Sequence, residues 1–118
     1  MSCGKKVISI ELAPDFKKAF KQLLKRYRSL GHDLENLIES IQEDPEQGAD
    51  LGNGLRKLRM AIASKGKGKS GGARVITHTV IFSEAEGFVK LLTIYDKSER
   101  DSITDSELRD LMRRNGLL

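Results

Sequence analysis

Apolar and polar positions alternate with a period of two in two parts of the chain, and such alternation predicts half-buried β-strands. Residues 8–12 alternate in this way, and residues 57–62 do so with two cations on the polar side. Residues 73–82 are rich in β-branched side chains and mostly apolar on both sides, which predicts a central strand. A further strand is predicted over residues 88–95, and the last three strands are expected to form an antiparallel meander.

A spacing of three and four residues between apolar positions predicts two helices after the first strand. Pro14 suits the first turn of a helix, and the apolar stripe that follows it continues to about Leu30. Gly31 is expected to cap this helix at its C-terminus. The second stripe covers residues 34–41, and its helix should end before Pro45.

The segments between these elements carry the residues typical of turns and loops. Residues 44–54 are predicted to form an irregular connection, residues 64–72 a loop with four glycines and three lysines, and residues 83–87 a turn. The sequence Thr104-Asp-Ser-Glu107 is a capping box that opens a last helix. The predicted order is therefore β-α-α-β-β-β-α, an α+β fold in which a small, mainly antiparallel sheet packs against a helical hairpin.

The whole chain, residues 1–118, is expected to form a single domain, because this length suffices for one modest core. Residues 1–6 are expected to form a loose N-terminus. The single cysteine, Cys3, excludes a disulfide within the chain. No apolar run suits a signal peptide or a membrane-spanning helix, so we expect a reducing cytoplasm and no membrane partner.

The charge of the chain is distributed unevenly. Residues 51–83 contain seven basic residues and no acidic residue, whereas the rest of the chain holds 14 basic and 17 acidic residues. The seven are Arg56, Lys57, Arg59, Lys65, Lys67, Lys69 and Arg74. A solvated face normally mixes both signs, and seven like charges this close together repel one another. A partner that carries phosphate groups is therefore favoured.

Several common kinds of site are disfavoured by the sequence. The segment Gly68-Lys69-Ser70 resembles the end of a P-loop, but Ala63 stands where the first glycine belongs and a strand follows where a helix should. His32, His78 and Cys3 are too far apart for metal-ligand spacing, so no metal site is expected. His78 is more often a core residue on such a strand, although a histidine beside an RNA phosphate could act as acid or base.

Three segments of this chain resemble the RelE superfamily, and the similarity is closest to its HigB-like branch. The segments are Gly54-Leu-Arg-Lys-Leu-Arg59, Lys65-Gly-Lys-Gly-Lys-Ser-Gly-Gly-Ala-Arg-Val-Ile76 and Tyr95-Asp-Lys-Ser-Glu99. The predicted order of elements agrees with a RelE-like fold across nearly the whole chain. The loop that leads into Gly-Ala-Arg-Val-Ile is fairly specific, whereas the helices alone carry little information.

The resemblance implies a toxin of a bacterial toxin-antitoxin pair, acting as an mRNA endonuclease on the translating ribosome and so inhibiting translation. Its partners would be mRNA, the ribosome and a cognate antitoxin, a DNA-binding repressor whose acidic or amphipathic segment covers the basic surface. RNA cleavage by attack of the 2′-hydroxyl on its neighbouring phosphate needs a base, an acid and positive charge near the phosphorane. In such metal-free sites lysine, arginine and tyrosine take these parts, so no cofactor is expected.

Six residues of these segments are the candidate catalytic residues: Arg59, Lys67, Lys69, Arg74, Tyr95 and Lys97. The two arginines are expected to clamp phosphate, because a guanidinium donates two parallel hydrogen bonds to phosphate oxygens. The two loop lysines are expected to orient RNA, and one of them is a candidate general base. The tyrosine could stack on a base or donate a proton to the leaving oxygen, and Lys97 completes the ring of charge. The candidate RNA-binding residues outside this group are Arg56, Lys57 and Lys65.

Two other functions fit the same sequence. The first is that of the ParE-like branch of the superfamily, which blocks DNA gyrase without cutting nucleic acid and shares the fold. The crowded cations favour the nuclease, because inhibition of a protein would not need them. The second is a basic RNA-binding module, in which alanine at Arg74 or Tyr95 would weaken binding without any catalytic phenotype.

Overall fold

The structure, a computed structural model, describes residues 7–66, 68–100 and 102–118. Its elements, in chain order, are β1 (Val7–Leu12), α1 (Pro14–Leu24), α2 (Leu30–Glu43), β2 (Ala49–Gly52), β3 (Leu55–Met60), a 3₁₀ helix (Ala63–Lys65), β4 (Ala73–Ser83), β5 (Glu86–Asp96) and α3 (Asp105–Arg114). The predicted loose N-terminus, residues 1–6, lies outside the described residues.

The five strands form one sheet in the order β1-β5-β4-β3-β2. β1 runs parallel to β5, and every other neighbouring pair is antiparallel. β4 lies at the centre, and its first half is buried on both faces, as its β-branched composition predicts. The predicted α+β class is confirmed, and so is the antiparallel meander, which consists of β3, β4 and β5.

The turn of the helical hairpin differs from the prediction. α1 ends at Leu24, and Leu30 is already the first residue of α2. The spacing of Tyr27 continues the apolar stripe of α1, but its hydroxyl donates a hydrogen bond to the carboxylate of Asp96, and this contact holds Tyr27 in the turn. Gly31 therefore lies in the first turn of α2, and its prediction as a C-terminal cap is wrong.

A short edge strand, β2, lies inside the predicted irregular connection. Ala49 pairs with Lys57 of β3 and Asp50 with Arg56, and the register shifts before Gly52. Apolar and polar positions alternate only over residues 49–51 before Gly52, which is too short a pattern to predict a strand. The pairing with β3 creates the strand, which extends only beside the first half of β3.

Helices cover both faces of the sheet. α1 packs on β5, and α2 packs on β1 and β3, so that Phe16, Leu30 and Ile41 lie in the core between helices and sheet. α3 covers part of the other face at β5, and the predicted capping box at its start is confirmed. No helix in the described part of the chain combines the length and the apolar character needed to cross a membrane.

Candidate functional site

The sheet brings three of the predicted catalytic residues into one row. Arg59 of β3 faces Arg74 of β4, and Arg74 in turn faces Tyr95 of β5. Directly opposed residues of antiparallel strands point to the same side of the sheet. Lys57, two residues before Arg59 on β3, points to this side as well. The strand register therefore unites residues that are far apart in the sequence.

An open pocket of about 590 Å³ lies at the β3 end of this row. Among the described residues, its charged side chains are all cations: Lys57, Arg59, Lys69, Arg74 and Lys97. Arg59 and Lys69 are exposed, whereas Lys57 and Lys97 are half-buried. Residues 47–49, at the start of β2, form another wall of the pocket.

The guanidinium of Arg74 is bonded to the backbone of the glycine-lysine loop, residues 64–72. Nη1 donates a hydrogen bond to the carbonyl oxygen of Lys69 at 3.1 Å, and Nη2 donates one to that of Ser70 at 3.0 Å. Only 5% of Arg74 is exposed. Arg74 therefore fixes the end of the loop while adding its charge to the pocket, and the exposed Arg59 is better placed to meet a ligand.

Gly72, where the loop enters β4, occupies a place in which no side chain fits. A Cβ atom at this position would lie 2.1 Å from the carbonyl oxygen of Met60. The close approach brings the loop against the end of β3, and the amide of Lys97 donates a hydrogen bond to the carbonyl oxygen of Gly72 at 3.0 Å. The ends of β3 and β5 and the start of β4 thus converge, which places Lys97 at the pocket.

Tyr95 belongs to the row but lies below the surface. The guanidinium carbon of Arg100 lies 5.2 Å from the centre of the Tyr95 ring. Ile103 and Leu111 line a cavity together with Tyr95 and Arg100. Only 8% of Tyr95 is exposed, and its buried hydroxyl has no hydrogen-bond partner of normal geometry among the described residues, although the backbone of Ile103 lies near it. Burial raises the pKa of Tyr95, so the phenol keeps its proton at neutral pH.

The other predicted RNA-facing residues are divided between different places. Lys57 lies in the pocket, whereas the guanidinium of Arg56 donates a hydrogen bond to a backbone carbonyl before β2 at 3.3 Å. The ammonium of Lys65 donates a hydrogen bond to the carboxylate of Asp96 at 2.8 Å, on the side of the helical hairpin. Lys67 lies outside the described residues. The structure thus brings together four of the six predicted catalytic residues at the pocket, namely Arg59, Lys69, Arg74 and Lys97.

His78 lies further along β4, where it pairs with Leu55, away from the residues that line the pocket. Its side chain is half-buried against Gly54, since a Cβ on that glycine would lie 3.1 Å from the imidazole. Burial lowers the pKa of His78, and the nearby charge of Lys90 lowers it further. These contacts agree with a neutral packing residue at neutral pH.

Sequence reasoning missed Gln47 and Asp96. Gln47 lines the pocket and is held by α2, because its amide donates a hydrogen bond to the hydroxyl of Ser40 at 3.0 Å. Asp96 is buried between the loop and the hairpin. Burial alone would raise the pKa of Asp96, but hydrogen bonds from Lys65 and its neighbours hold it well below the usual range. For Gln47 the sequence carries no signal, whereas an acid between Tyr95 and Lys97 at a strand end could have been noticed.

The arrangement as a whole is suited to hold an anion. Several ammonium and guanidinium groups line this open pocket, and their positive charge attracts phosphate groups. In the described part of the chain, no group of three or more His, Cys, Asp or Glu residues is placed to hold a metal ion.

The chain matches a family model. The description of this family is RelE toxin of the RelE / RelB toxin-antitoxin system, and the match covers residues 16–115. The matched region includes every residue that lines the pocket, and it contains the helical hairpin almost completely together with β2 to α3.

Proposed function

The chain belongs to the RelE toxin family, and from this premise we propose that it is a ribosome-dependent endoribonuclease that cleaves mRNA. Membership of the family makes it the toxin of a toxin-antitoxin system, with a cognate antitoxin as partner, in a class that generally inhibits translation. The proposal concerns the reaction, the substrate and the residues that perform it.

The observation that carries this proposal is the cationic pocket beside the row of Arg59, Arg74 and Tyr95. The pocket is open, so a phosphodiester within a longer strand can enter it without the strand being threaded. Its exposed cations, Arg59 and Lys69, meet a phosphate first, and the guanidinium of Arg59 offers the two parallel donors that suit phosphate oxygens.

The proposed reaction is attack of a ribose 2′-oxygen on the adjacent phosphorus. The bond from phosphorus to the 5′-oxygen breaks, which leaves a 2′,3′-cyclic phosphate and a free 5′-hydroxyl. A base removes the proton of the 2′-hydroxyl, an acid protonates the leaving 5′-oxygen, and negative charge builds up on the phosphorane between these events. In this proposal Arg59 and Lys69 neutralise that charge, and Lys67 and Lys69 are the candidate bases.

The test is to add the purified protein to a reconstituted translation system and to map the 5′ ends of the message. We expect new 5′-hydroxyl ends in the presence of ribosomes, and a loss of roughly 100-fold in cleavage rate for Arg59→Ala, which removes one charged donor from the transition state. Arg59→Ala is a cleaner variant than Arg74→Ala, because Arg74 also holds the loop.

The matched control is Arg113→Ala, which removes an exposed arginine of α3 that pairs with Asp110. This variant should cleave at the wild-type rate. Intact messages with every preparation would contradict the proposal. Intact messages together with inhibited DNA supercoiling by gyrase would support the gyrase-blocking alternative, and RNA binding without cleavage would support a non-catalytic module.

A further inference from the structure

The carboxylate of Asp96 connects three segments of the chain on the side of the sheet opposite to Tyr95. It accepts hydrogen bonds from the ammonium of Lys65 at 2.8 Å, from the hydroxyl of Tyr27, and from the amide and hydroxyl of Ser98 at 2.9 and 2.7 Å. The side chain of Asp96 is completely buried, and that of Lys65 is only 9% exposed. A buried ion pair of this kind is satisfied only when its geometry is kept.

A second buried carboxylate holds the entry to the glycine-lysine loop. Asp33 of α2 accepts a hydrogen bond from the amide of Ala63 at 3.1 Å, and the hydroxyl of Ser29 accepts one from the amide of Ser64 at 2.9 Å. The 3₁₀ helix that begins the loop is therefore bonded to the helical hairpin at Ala63 and Ser64 and to Asp96 through Lys65.

The far end of the loop is fixed from the pocket side by Arg74, which bonds the carbonyl oxygens of Lys69 and Ser70. Gly66 and Gly68 of this loop both have a positive φ. Without the hydrogen bonds at its two ends, a loop with these glycines would sample many backbone conformations. The bonds at both ends restrict the loop, and Lys69 owes its place in the pocket to them.

From these contacts we propose that Asp96 and Lys65 are positioning residues that hold the glycine-lysine loop, and with it Lys69, at the cationic pocket from the opposite side of the sheet. Lys65 then has no direct contact with RNA, contrary to what its charge alone predicts. The catalytic consequence rests on the proposed RNA cleavage, whereas the restriction of the loop is measurable without it.

The first experiment compares hydrogen exchange of the backbone amides of residues 63–72 in the wild type, Lys65→Met and Asp96→Asn. We expect at least tenfold faster exchange in this segment for both variants, with unchanged exchange in β4 and β5. Lys65→Arg keeps a cation beside Asp96 and should restore slow exchange. If Asp96→Asn does not fold, Lys65→Met and Lys65→Arg decide the matter, because the carboxylate then keeps its bonds to Tyr27 and Ser98.

The second experiment measures kcat and KM for message cleavage by the same proteins. A misplaced loop should lower kcat by roughly 10-fold or more and change KM by less than about threefold, since a small displacement of a reacting group affects the transition state most. The double variant Lys65→Met/Asp96→Asn should resemble the single ones, because the pair acts as a unit. Ile41→Val, a buried change in α2 that does not touch the loop, is the control for stability and should keep the wild-type kcat.

Two results would overturn the proposal. The first is unchanged exchange of residues 63–72 in Lys65→Met. The second is a raised KM with an unchanged kcat for Lys65→Met, which would make Lys65 an RNA contact. If the wild type does not cleave RNA at all, the proposed function fails, but the exchange experiment still decides whether Asp96 and Lys65 hold the loop.

Discussion

Two arginines face each other across β3 and β4, yet their surroundings give them different tasks. Arg59 is exposed at the pocket, whereas Arg74 is buried and donates hydrogen bonds to three backbone carbonyl oxygens. The sequence alone makes the two look equivalent, because both are arginines on predicted strands within the basic region. The structure distinguishes a side chain that can meet a ligand from one that also maintains the loop.

This difference predicts separate effects of the two alanine variants on stability. Arg74→Ala removes the guanidinium that bonds the carbonyl oxygens of Lys69 and Ser70, and it should lower the free energy of unfolding by roughly 2 kcal/mol. Arg59→Ala should change it by less than about 0.5 kcal/mol, because the side chain is exposed. Urea unfolding followed by circular dichroism measures both values. Equal losses of stability in the two variants would contradict the assignment.

The hydroxyl of Tyr95 gives a second prediction at this scale. Because the group is buried without a hydrogen-bond partner of normal geometry among the described residues, its removal in Tyr95→Phe should leave stability unchanged or raise it by about 1 kcal/mol. If the hydroxyl donates a proton during cleavage, the same variant should nevertheless cleave roughly 100-fold more slowly. Unfolding and cleavage are measured on one preparation. Tyr27→Phe is the control for unfolding only: it should lower stability by about 1 kcal/mol, because that hydroxyl does donate a hydrogen bond, to Asp96.

A wild-type cleavage rate in Tyr95→Phe would leave the ring with a packing role beneath Arg100. That result would remove Tyr95 from the catalytic candidates while leaving the cationic pocket in place. A large loss of stability in Tyr95→Phe would instead mean that the hydroxyl has a partner in solution.

The sequence predicts which residues belong to the site, but it does not predict to which side of the sheet each side chain points. Charge and resemblance together indicate Arg59, Lys69, Arg74 and Lys97, and all four line the pocket. The same two features indicate Lys65, but it points to the hairpin side, where it meets Asp96. A partner 31 positions further along the chain is set by tertiary packing, which local pattern does not contain.

At the scale of elements, the sequence predicts the strands and helices that have a strong repeating pattern. It does not predict elements that form only through contacts with distant residues. β4 and β5 lie within one or two residues of the predicted strands, and the capping box of α3 is present as predicted. β2 exists because it pairs with β3, and Tyr27, in the turn after α1, is bonded to Asp96. Such elements are fixed by contacts between distant parts of the sequence.

The first turn of α3 leads to a prediction about pH. A hydrogen bond from Arg100 is the main reason why the pKa of Glu107 is lowered to about 2 from its ordinary 4.5, and bonds from Thr104 add to it. A carboxylate with a lowered pKa in the folded state contributes its full stability above the unfolded pKa and loses it as the pH falls. The contribution of Glu107 should therefore disappear between about pH 4.5 and 2.

The measurement is the difference in free energy of unfolding between the wild type and Glu107→Gln from pH 7 to pH 2. Glutamine can still accept the hydrogen bond from the amide of Thr104, so the variant mainly removes the charge. The difference should be within about 1 kcal/mol at pH 7, because the pair is partly exposed and screened, and it should fall to zero in acid. Asp96 is present in both proteins, so its contribution to the pH dependence cancels in the difference between them. A difference that does not change with pH would contradict the role of the ion pair.

At the scale of the whole molecule, folding concentrates an uneven charge still further. The chain carries a net charge of +4, but five cations meet at one pocket to which the described residues contribute no acidic side chain. The exposed acids Glu35 and Glu39 of α2 do not line this pocket, and the buried Asp33 lines an adjoining cavity with Arg59 and Lys69. A polyanion approaching the protein should therefore be oriented toward the pocket before it makes any specific contact.

This polarity predicts how RNA binding depends on salt. A short single-stranded oligoribonucleotide with 2′-deoxy substitutions, which cannot be cleaved by 2′-hydroxyl attack, should bind more weakly as salt rises, because each phosphate contact releases counterions. Arg59→Ala should reduce the slope of log affinity against log salt by about 0.7, the value for one phosphate contact of a single strand. Arg113→Ala changes the net charge equally, but Arg113 does not line the pocket, so this variant should leave the slope unchanged. Fluorescence anisotropy from low to physiological salt measures the slope. Equal slopes for the wild type and Arg59→Ala would mean that the strand binds elsewhere, since a true contact at Arg59 cannot be lost without releasing fewer ions.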